Sequence, residues 1–115
     1  RENGFRAMRA DILTLRGRAL AGLGRPAGAL TDWREALAEA RRQGARRAEW
    51  PALFALSQFE PDAAVAAGYG RQAADAARFL AGNITEPELR AAFLARPDVQ
   101  RTLSAYGQAD ELLTG

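Results

Sequence analysis

The sequence of 115 residues contains no cysteine, no histidine and no lysine. Without cysteine it has no disulfide and no thiolate metal ligand, and without histidine it lacks the commonest zinc ligand and the usual general base. No run approaches the ~18–20 uncharged apolar residues that a membrane span needs, and no signal-peptide pattern opens the chain. We therefore expect a cytoplasmic protein without membrane association, metal or cofactor.

All basic residues are arginines, and they are unevenly distributed. Residues 1–47 contain 11 arginines and 5 acidic residues, whereas residues 48–115 contain 5 and 9. A basic patch can bind nucleic acid, but few aromatic residues accompany these arginines. Several of them, between positions 41 and 47, flank a predicted helix end, where cations interact favourably with the helix dipole. We interpret the charge as structural, and its all-arginine, alanine-rich background as the codon bias of a GC-rich bacterium; nucleic acid is not an expected partner.

The first part of the chain predicts a helical hairpin. Apolar residues follow helical spacing on two stripes, one of Ile12, Leu15, Ala19 and Leu23 and the other of Leu13, Gly17 and Leu20. A helix that is apolar on two stripes has neighbours on two sides. Gly24 suits a left-handed helix stop, and Pro26 suits the first turn of the next helix. This second helix is predicted to run to Gln43 and to end at Gly44.

Small residues in the hairpin indicate a close approach of the two helices. We expect Gly17 on the first helix to face Ala29 on the second, with Leu13, Leu20 and Trp33 packed around that contact. Burial of about 200 Å² of Trp33 at about 25 cal/mol per Å² contributes at most ~5 kcal/mol. Glycine here is therefore interpreted as a space-making residue.

The sequence contains a second, weaker copy of this pattern. “RENG” at the chain start matches “RRQG” ending at Gly44, an offset of 40 residues. “GRPAGALTDW” aligns with “GRQAADAARF” at an offset of 46, which pairs Gly24 with Gly70 and Trp33 with Phe79. We therefore predict a second hairpin.

The helices of this second hairpin are predicted near residues 49–59 and 70–82. The inserted segment before residue 70 can extend the second helix backwards from Pro61. Pro51 is expected in the first turn of its helix, because a proline in a helix interior costs about 3 kcal/mol.

Seven positions of the first hairpin resemble the tetratricopeptide repeat: Leu13, Gly17, Leu20, Gly24, Ala29, Trp33 and Ala36. They match the family's large, small, turn and aromatic positions over residues 10–41. Arg16 departs from the family's usual leucine, and no proline follows Ala36, so the unit has ~40 residues instead of ~34. The resemblance implies an all-α fold of antiparallel helical-hairpin repeats, an α-solenoid of about two units with short C-terminal capping helices.

The predicted organisation has five segments. They are the end of a preceding repeat at residues 1–4, the first repeat at 5–44, a degenerate second repeat at 45–83, capping helices at 84–106 and a frayed tail at 107–115. In the capping segment, “TEPE” from Thr85 to Glu88 is predicted to form a capping box, and Pro97 to start another short helix. Because about three or more hairpin units are usually needed for stability and only about two are present, we expect the chain to be the C-terminal piece of a longer array, or a piece that dimerises through its open first helix.

No catalytic constellation is apparent, and we do not expect an enzyme. “GYGRQA” from Gly68 fits a dinucleotide-binding fingerprint formally, but no strand is predicted before it. The carboxylates of Asp32, Glu35 and Glu39 are expected on a solvated helix face. Ser57 and Ser104 have no histidine to activate them.

The resemblance implies a binding surface on the first helix of each hairpin. The residues carried over are Asp11, Thr14, Arg18 and Ala21 in the first unit and Phe54 and Gln58 in the second. We expect a non-catalytic scaffold that binds a protein, a peptide or other domains of its own chain, as in large bacterial signal-transduction ATPases, LuxR- or maltose-activator-type regulators and cyclase-linked ATPases. The alternatives are a ligand-sensing segment of a transcriptional activator and a stand-alone homodimeric helical bundle.

Overall fold

The computed structural model describes the backbone of residues 2–107 and the side chains of residues 8–106. Within this part of the chain the structure is entirely helical, which confirms the all-α prediction. Its elements are α1 (Glu2–Gly22), α2 (Pro26–Gln43), α3 (Arg46–Phe59), α4 (Ala63–Gly82), α5 (Pro87–Leu94), α6 (Pro97–Thr102) and a closing π-helical turn (Leu103–Gly107). Of the predicted frayed tail at residues 107–115, Gly107 ends the closing turn and residues 108–115 lie outside the described residues.

Two left-handed glycines separate the first three helices. Gly24 has φ = 77° and Gly44 has φ = 65°, values that favour a residue without a Cβ. Pro26 occupies the first turn of α2, where the missing amide hydrogen has no intrahelical acceptor to lose. Both ends of α2 therefore lie where the sequence predicts them.

Among the first four helices, consecutive helices run antiparallel, as cross-helix contacts show. Arg9 pairs with Glu35, while Arg16, further along α1, pairs with the earlier Asp32 of α2. In the same way α2 and α3 are joined by ion pairs of Arg34 with Glu60 and of Arg41 with Glu49, and the Arg46 guanidinium at the start of α3 lies over Phe79 near the end of α4. The six helices are thus packed in neighbouring pairs.

Helix α1 and helix α3 begin earlier than predicted. Because α1 is continuous from Glu2, residues 2–4 belong to α1 and do not end a separate helix. Gly44 reverses the chain so sharply that only Ala45 precedes α3, which starts at Arg46. Pro51 consequently lies in the second turn of α3, where it has no amide hydrogen for the carbonyl of residue 47.

Helix α4 starts at Ala63 and includes the segment that was predicted to extend it. The Asp62 carboxylate caps it, since its Oδ1 accepts hydrogen bonds from the amides of Ala64 (3.0 Å) and Val65 (3.1 Å). Gly70 therefore lies inside a helix, unlike the turn residue Gly24. The predicted pairing of these two glycines is wrong.

The capping helices form where expected, but the capping box does not. Pro87 takes the first position of α5, so the N-cap is Glu86 and Thr85 lies one residue too early to cap; no side chain caps this helix. Helix α6 begins at Pro97 as predicted. It places Val99, which has no exposed surface, in the main core formed by the first four helices.

Candidate interaction surfaces

The inner side of α1 packs on α2 through a glycine notch that holds Trp33. A Cβ added at Gly17 would lie 2.7 Å from Cδ1 of the indole, closer than real Cβ contacts come. The notch thus accommodates the ring of Trp33, and not the predicted Ala29. The Trp33 Nε1–H donates to the carbonyl of Thr14 at 3.1 Å, and the ring centroid lies 5.1 Å from that of Phe59.

An ion pair between an exposed arginine and a buried carboxylate joins α1 to α2 beside this notch. The Arg16 guanidinium donates from Nε to Asp32 Oδ2 at 2.7 Å and from a terminal nitrogen to Oδ1 at 2.9 Å. Asp32 is only 3% exposed, so this carboxylate exchanges water for a bidentate guanidinium. Arg16, the departure from the tetratricopeptide pattern, is therefore the counter-ion of Asp32.

The three carboxylates of α2 differ in environment, and the expectation of a solvated face is wrong for two of them. Asp32 and Glu39 are buried, the latter beside Arg42. Only Glu35 is exposed, and it pairs with Arg9 at 2.8 Å. Asp32 is buried against Arg16 of α1, a partner that the spacing of α2 alone does not reveal, whereas Arg42 lies three residues after Glu39 on the same helix.

The Asp32 carboxylate makes the stability of the protein sensitive to acid. Its pKa lies below its ordinary value of 3.8, chiefly because Arg16 donates hydrogen bonds to the charged form. A depressed pKa in the folded state gives stability that is complete above the unfolded pKa and is lost as the pH falls through the folded pKa.

We expect Asp32→Asn to lower the melting temperature by about 5 °C at neutral pH. The same variant should lose less further stability than the wild type when thermal unfolding is followed from roughly pH 5 to pH 2. Asp75→Asn, at an exposed site, should retain the wild-type acid dependence. Parallel pH profiles of the wild type and Asp32→Asn would contradict the assignment.

The outer side of α1 exposes the predicted stripe of Ile12, Leu15, Ala19 and Leu23, which Met8 extends by one turn. We name these five residues the outer stripe. The four large side chains of this stripe are between 56% and 69% exposed. A groove of about 250 Å³ lies beside them, lined in part by Met8, Ile12 and Arg16. The two-sided helix predicted from the sequence therefore has a neighbour on one side only within the described residues.

A second surface lies where α1 and α3 are side by side, and we name it the α1–α3 surface. It contains the residues that were predicted to bind a partner, which are Asp11, Thr14, Arg18, Ala21, Phe54 and Gln58. Helices α1 and α3 run in the same direction, and Arg47 donates to Asp11 at 3.2 Å between them. Arg18 and Phe54 each lie two helical turns beyond this pair and are therefore level with one another. Ala21 and Gln58 follow about one turn further on.

The predicted partner-binding residues are not equally accessible. Arg18 and Gln58 are exposed, whereas Asp11, Ala21 and Phe54 are half-buried. The Phe54 ring packs on Trp50 with centroids 5.4 Å apart. Thr14 is buried, and its hydroxyl donates to the carbonyl of Ala10 at 3.0 Å, so in this structure its side chain presents no surface to a partner.

Gly70 and Tyr106 form a contact that sequence reasoning missed. A Cβ at Gly70 would lie 2.6 Å from Cε1 of Tyr106, whose ring thus docks the closing turn onto α4. Because Gly68 and Gly70 both lie within α4, the “GYGRQA” segment has no strand-to-helix loop to hold a dinucleotide. The one signal in the sequence for this contact was a glycine two turns inside a helix.

The arginines near the α2–α3 junction are engaged in contacts within the protein. Arg42 pairs with Glu39, Arg47 pairs with Asp11, and Arg41 donates to Gln72. Arg46 lies 4.5 Å from the centroid of the Phe79 ring. These contacts agree with the structural interpretation of the basic half.

The chain has no match among known family models, curated proteins or solved structures. In the part of the chain that the structure describes, no group of three acidic, histidine or cysteine side chains is placed to hold a metal ion. Over the same residues, no helix has the length and apolar character required to cross a membrane. Residues 2–107 form an all-helical structure of helices packed in neighbouring pairs, and the tetratricopeptide resemblance stays a prediction.

Proposed function

We propose that this chain is a non-catalytic protein-interaction module made of tetratricopeptide-like hairpins. Its partner is a protein or peptide segment that binds the α1–α3 surface. The resemblance of residues 10–41 supports repeats of this kind, and it favours a cytoplasmic bacterial regulator as the setting.

The observation that supports the proposal most is that Arg18 of α1 and Phe54 of α3 lie at the same level of the α1–α3 surface. Arg18 is exposed and makes no ion pair or hydrogen bond within residues 8–106, in contrast to Arg16 and Arg47 nearby. A free guanidinium is a strong donor to a carboxylate. The half-buried ring of Phe54 at the same level offers an apolar and rigid contact. Together they suit a segment that carries an acidic residue beside an apolar one.

Selection of peptides from a random displayed library, with the purified protein as target, tests the proposal. We expect the selected peptides to carry an acidic residue next to an apolar residue. Arg18→Glu should weaken their binding by at least about tenfold, which corresponds to the loss of one charge-assisted contact. Phe54→Ala should weaken it as well.

Arg71→Glu is the matched control, since Arg71 is an exposed arginine of α4 and lies outside the α1–α3 surface. It makes the same charge change and should leave the affinity unaltered. The proposal fails if Arg18→Glu and Arg71→Glu bind the selected peptides equally well. It also fails if no peptide is selected.

A further inference from the structure

The two ends of the helical stack differ in how far their apolar surfaces are covered. At the C-terminal end, Val99 and Tyr106 cover α4, and Val99 has no exposed surface. At the other end, no described residue covers the outer stripe of α1. Its members Met8, Ile12, Leu15 and Ala19 are spaced by four, three and four residues, the alternation of a helix seam that packs against another helix.

We propose that two copies of this chain pair through the outer stripe, with their α1 helices antiparallel. In this register Ile12 lies opposite Leu15 of the second copy, and Met8 lies opposite its Ala19. The two-fold axis then passes beside the middle of α1, and every apolar contact occurs twice. The proposal concerns a surface other than the α1–α3 surface, although Arg18 lies at the border of both.

Charge complementarity selects this occupant and this orientation. Asp11 and Arg18 lie on one flank of the outer stripe, two turns apart. In the antiparallel register Asp11 of each copy faces Arg18 of the other, so that the symmetric pair contains two opposite-charge contacts. Asp11 can accept a second contact, because its hydrogen bond from Arg47 at 3.2 Å uses one carboxylate oxygen and its side chain is 42% exposed.

The charges on the other flank of the outer stripe are compatible with this register. It carries Arg9 and Arg16, which approach one another across the axis. Each of these arginines is already neutralised within its own chain, Arg9 by Glu35 at 2.8 Å and Arg16 by Asp32 at 2.7 Å. In a parallel pair, by contrast, Asp11 would face Arg16, which Asp32 already neutralises, and Arg18 would gain no carboxylate of the second copy.

The size of the surface sets the expected strength of the pair. A stable interface buries about 800 Å² per partner, and the exposed part of the outer stripe supplies on the order of half of that area. We therefore expect a reversible dimer with a dissociation constant on the order of 10–100 µM. Sedimentation equilibrium over a dilution series of the purified chain measures it.

Two charge variants test the orientation. Arg18→Asp places a like charge opposite Asp11 at each of the two contacts, and Asp11→Arg does the same opposite Arg18, so each variant alone should dimerise at least about tenfold more weakly. A mixture of the two should dimerise again: the substituted residues face one another with opposite charges at one contact, and the unchanged Asp11 and Arg18 face one another at the other. Arg71→Asp controls for net charge and should dimerise like the wild type.

A second experiment does not depend on the charges. The chain has no cysteine, so Ile12→Cys and Leu15→Cys each introduce a single thiol. Under mild oxidation a mixture of the two variants should cross-link faster than either alone, because the two positions face one another only in the antiparallel register. Circular dichroism of each variant confirms that it is folded.

The possible outcomes separate this proposal from the proposed function. Ile12→Glu should abolish dimers and leave the binding of selected peptides intact, whereas Phe54→Ala should do the reverse. A folded wild type that remains monomeric at every concentration overturns the pairing and leaves the outer stripe to an apolar helix of another protein. Dimers that survive Ile12→Glu, or that the mixed charge variants fail to restore, overturn it too.

Discussion

Gly17→Ala is expected to lower the free energy of unfolding by about 1–3 kcal/mol, although alanine is ordinarily the better helix former by about 1 kcal/mol. The reason is the notch for Trp33. A Cβ at this position meets the indole ring at 2.7 Å, and the ring is 1% exposed and packed on Phe59. A rigid side chain that is enclosed in this way can only move by opening the contact between α1 and α2.

Urea unfolding of Gly17→Ala beside Gly68→Ala measures this effect. Gly68 is also helical, but an added Cβ there has no neighbour within 4 Å. The identical substitution should therefore raise stability at Gly68 by about 0.5–1 kcal/mol. Equal effects of the two substitutions would show that the notch at Gly17 is not needed.

Gly70→Ala is expected to destabilise the protein by a similar amount, about 1–3 kcal/mol, through the C-terminal turn. Gly70 lies only two residues from Gly68 in α4, yet its added Cβ would lie 2.6 Å from Cε1 of Tyr106. The substitution pushes the Tyr106 ring away from α4. A glycine-to-alanine substitution in α4 is thus expected to stabilise the protein at position 68 and to destabilise it at position 70.

A double-mutant cycle identifies Tyr106 as the cause. Tyr106→Ala alone should destabilise the protein, because it removes the ring from its site on α4. Gly70→Ala should then cost little in the Tyr106→Ala background, since the clash is gone, and the two changes should be strongly non-additive. Additive free energies of unfolding would contradict the docking of Tyr106 on Gly70.

Several elements follow from local sequence alone, because their causes are local. The glycine at position 24, the proline at 26 and the glycine at 44 define α2, since a positive φ and a fixed φ are properties of those residues themselves. Helical spacing likewise placed the stripe of Leu13, Gly17 and Leu20 in α1 against α2. The capping box failed for an equally local reason, which is that Pro87 sets the start of α5 one residue later than Thr85 allows.

The candidate surfaces could be predicted only in part. The sequence and its tetratricopeptide resemblance located Arg18, Phe54 and Gln58 on helices where they are accessible or half-buried. They did not anticipate that Thr14 turns inwards to bond the carbonyl of Ala10. The direction of a side chain at the border of a helix face depends on how the neighbouring helices α2 and α3 are placed.

By itself the sequence determined the helical class, the two ends of α2 and the two apolar stripes of α1, because periodicity and turn chemistry act over a few residues. Only the tertiary structure decided which charges and rings meet. Arg16 binds Asp32 across a hairpin, and Tyr106 reaches Gly70 from a remote part of the chain. Such contacts depend on the relative placement of whole helices. That placement also leaves the outer stripe exposed, while the stripe of Leu13, Gly17 and Leu20 packs against α2.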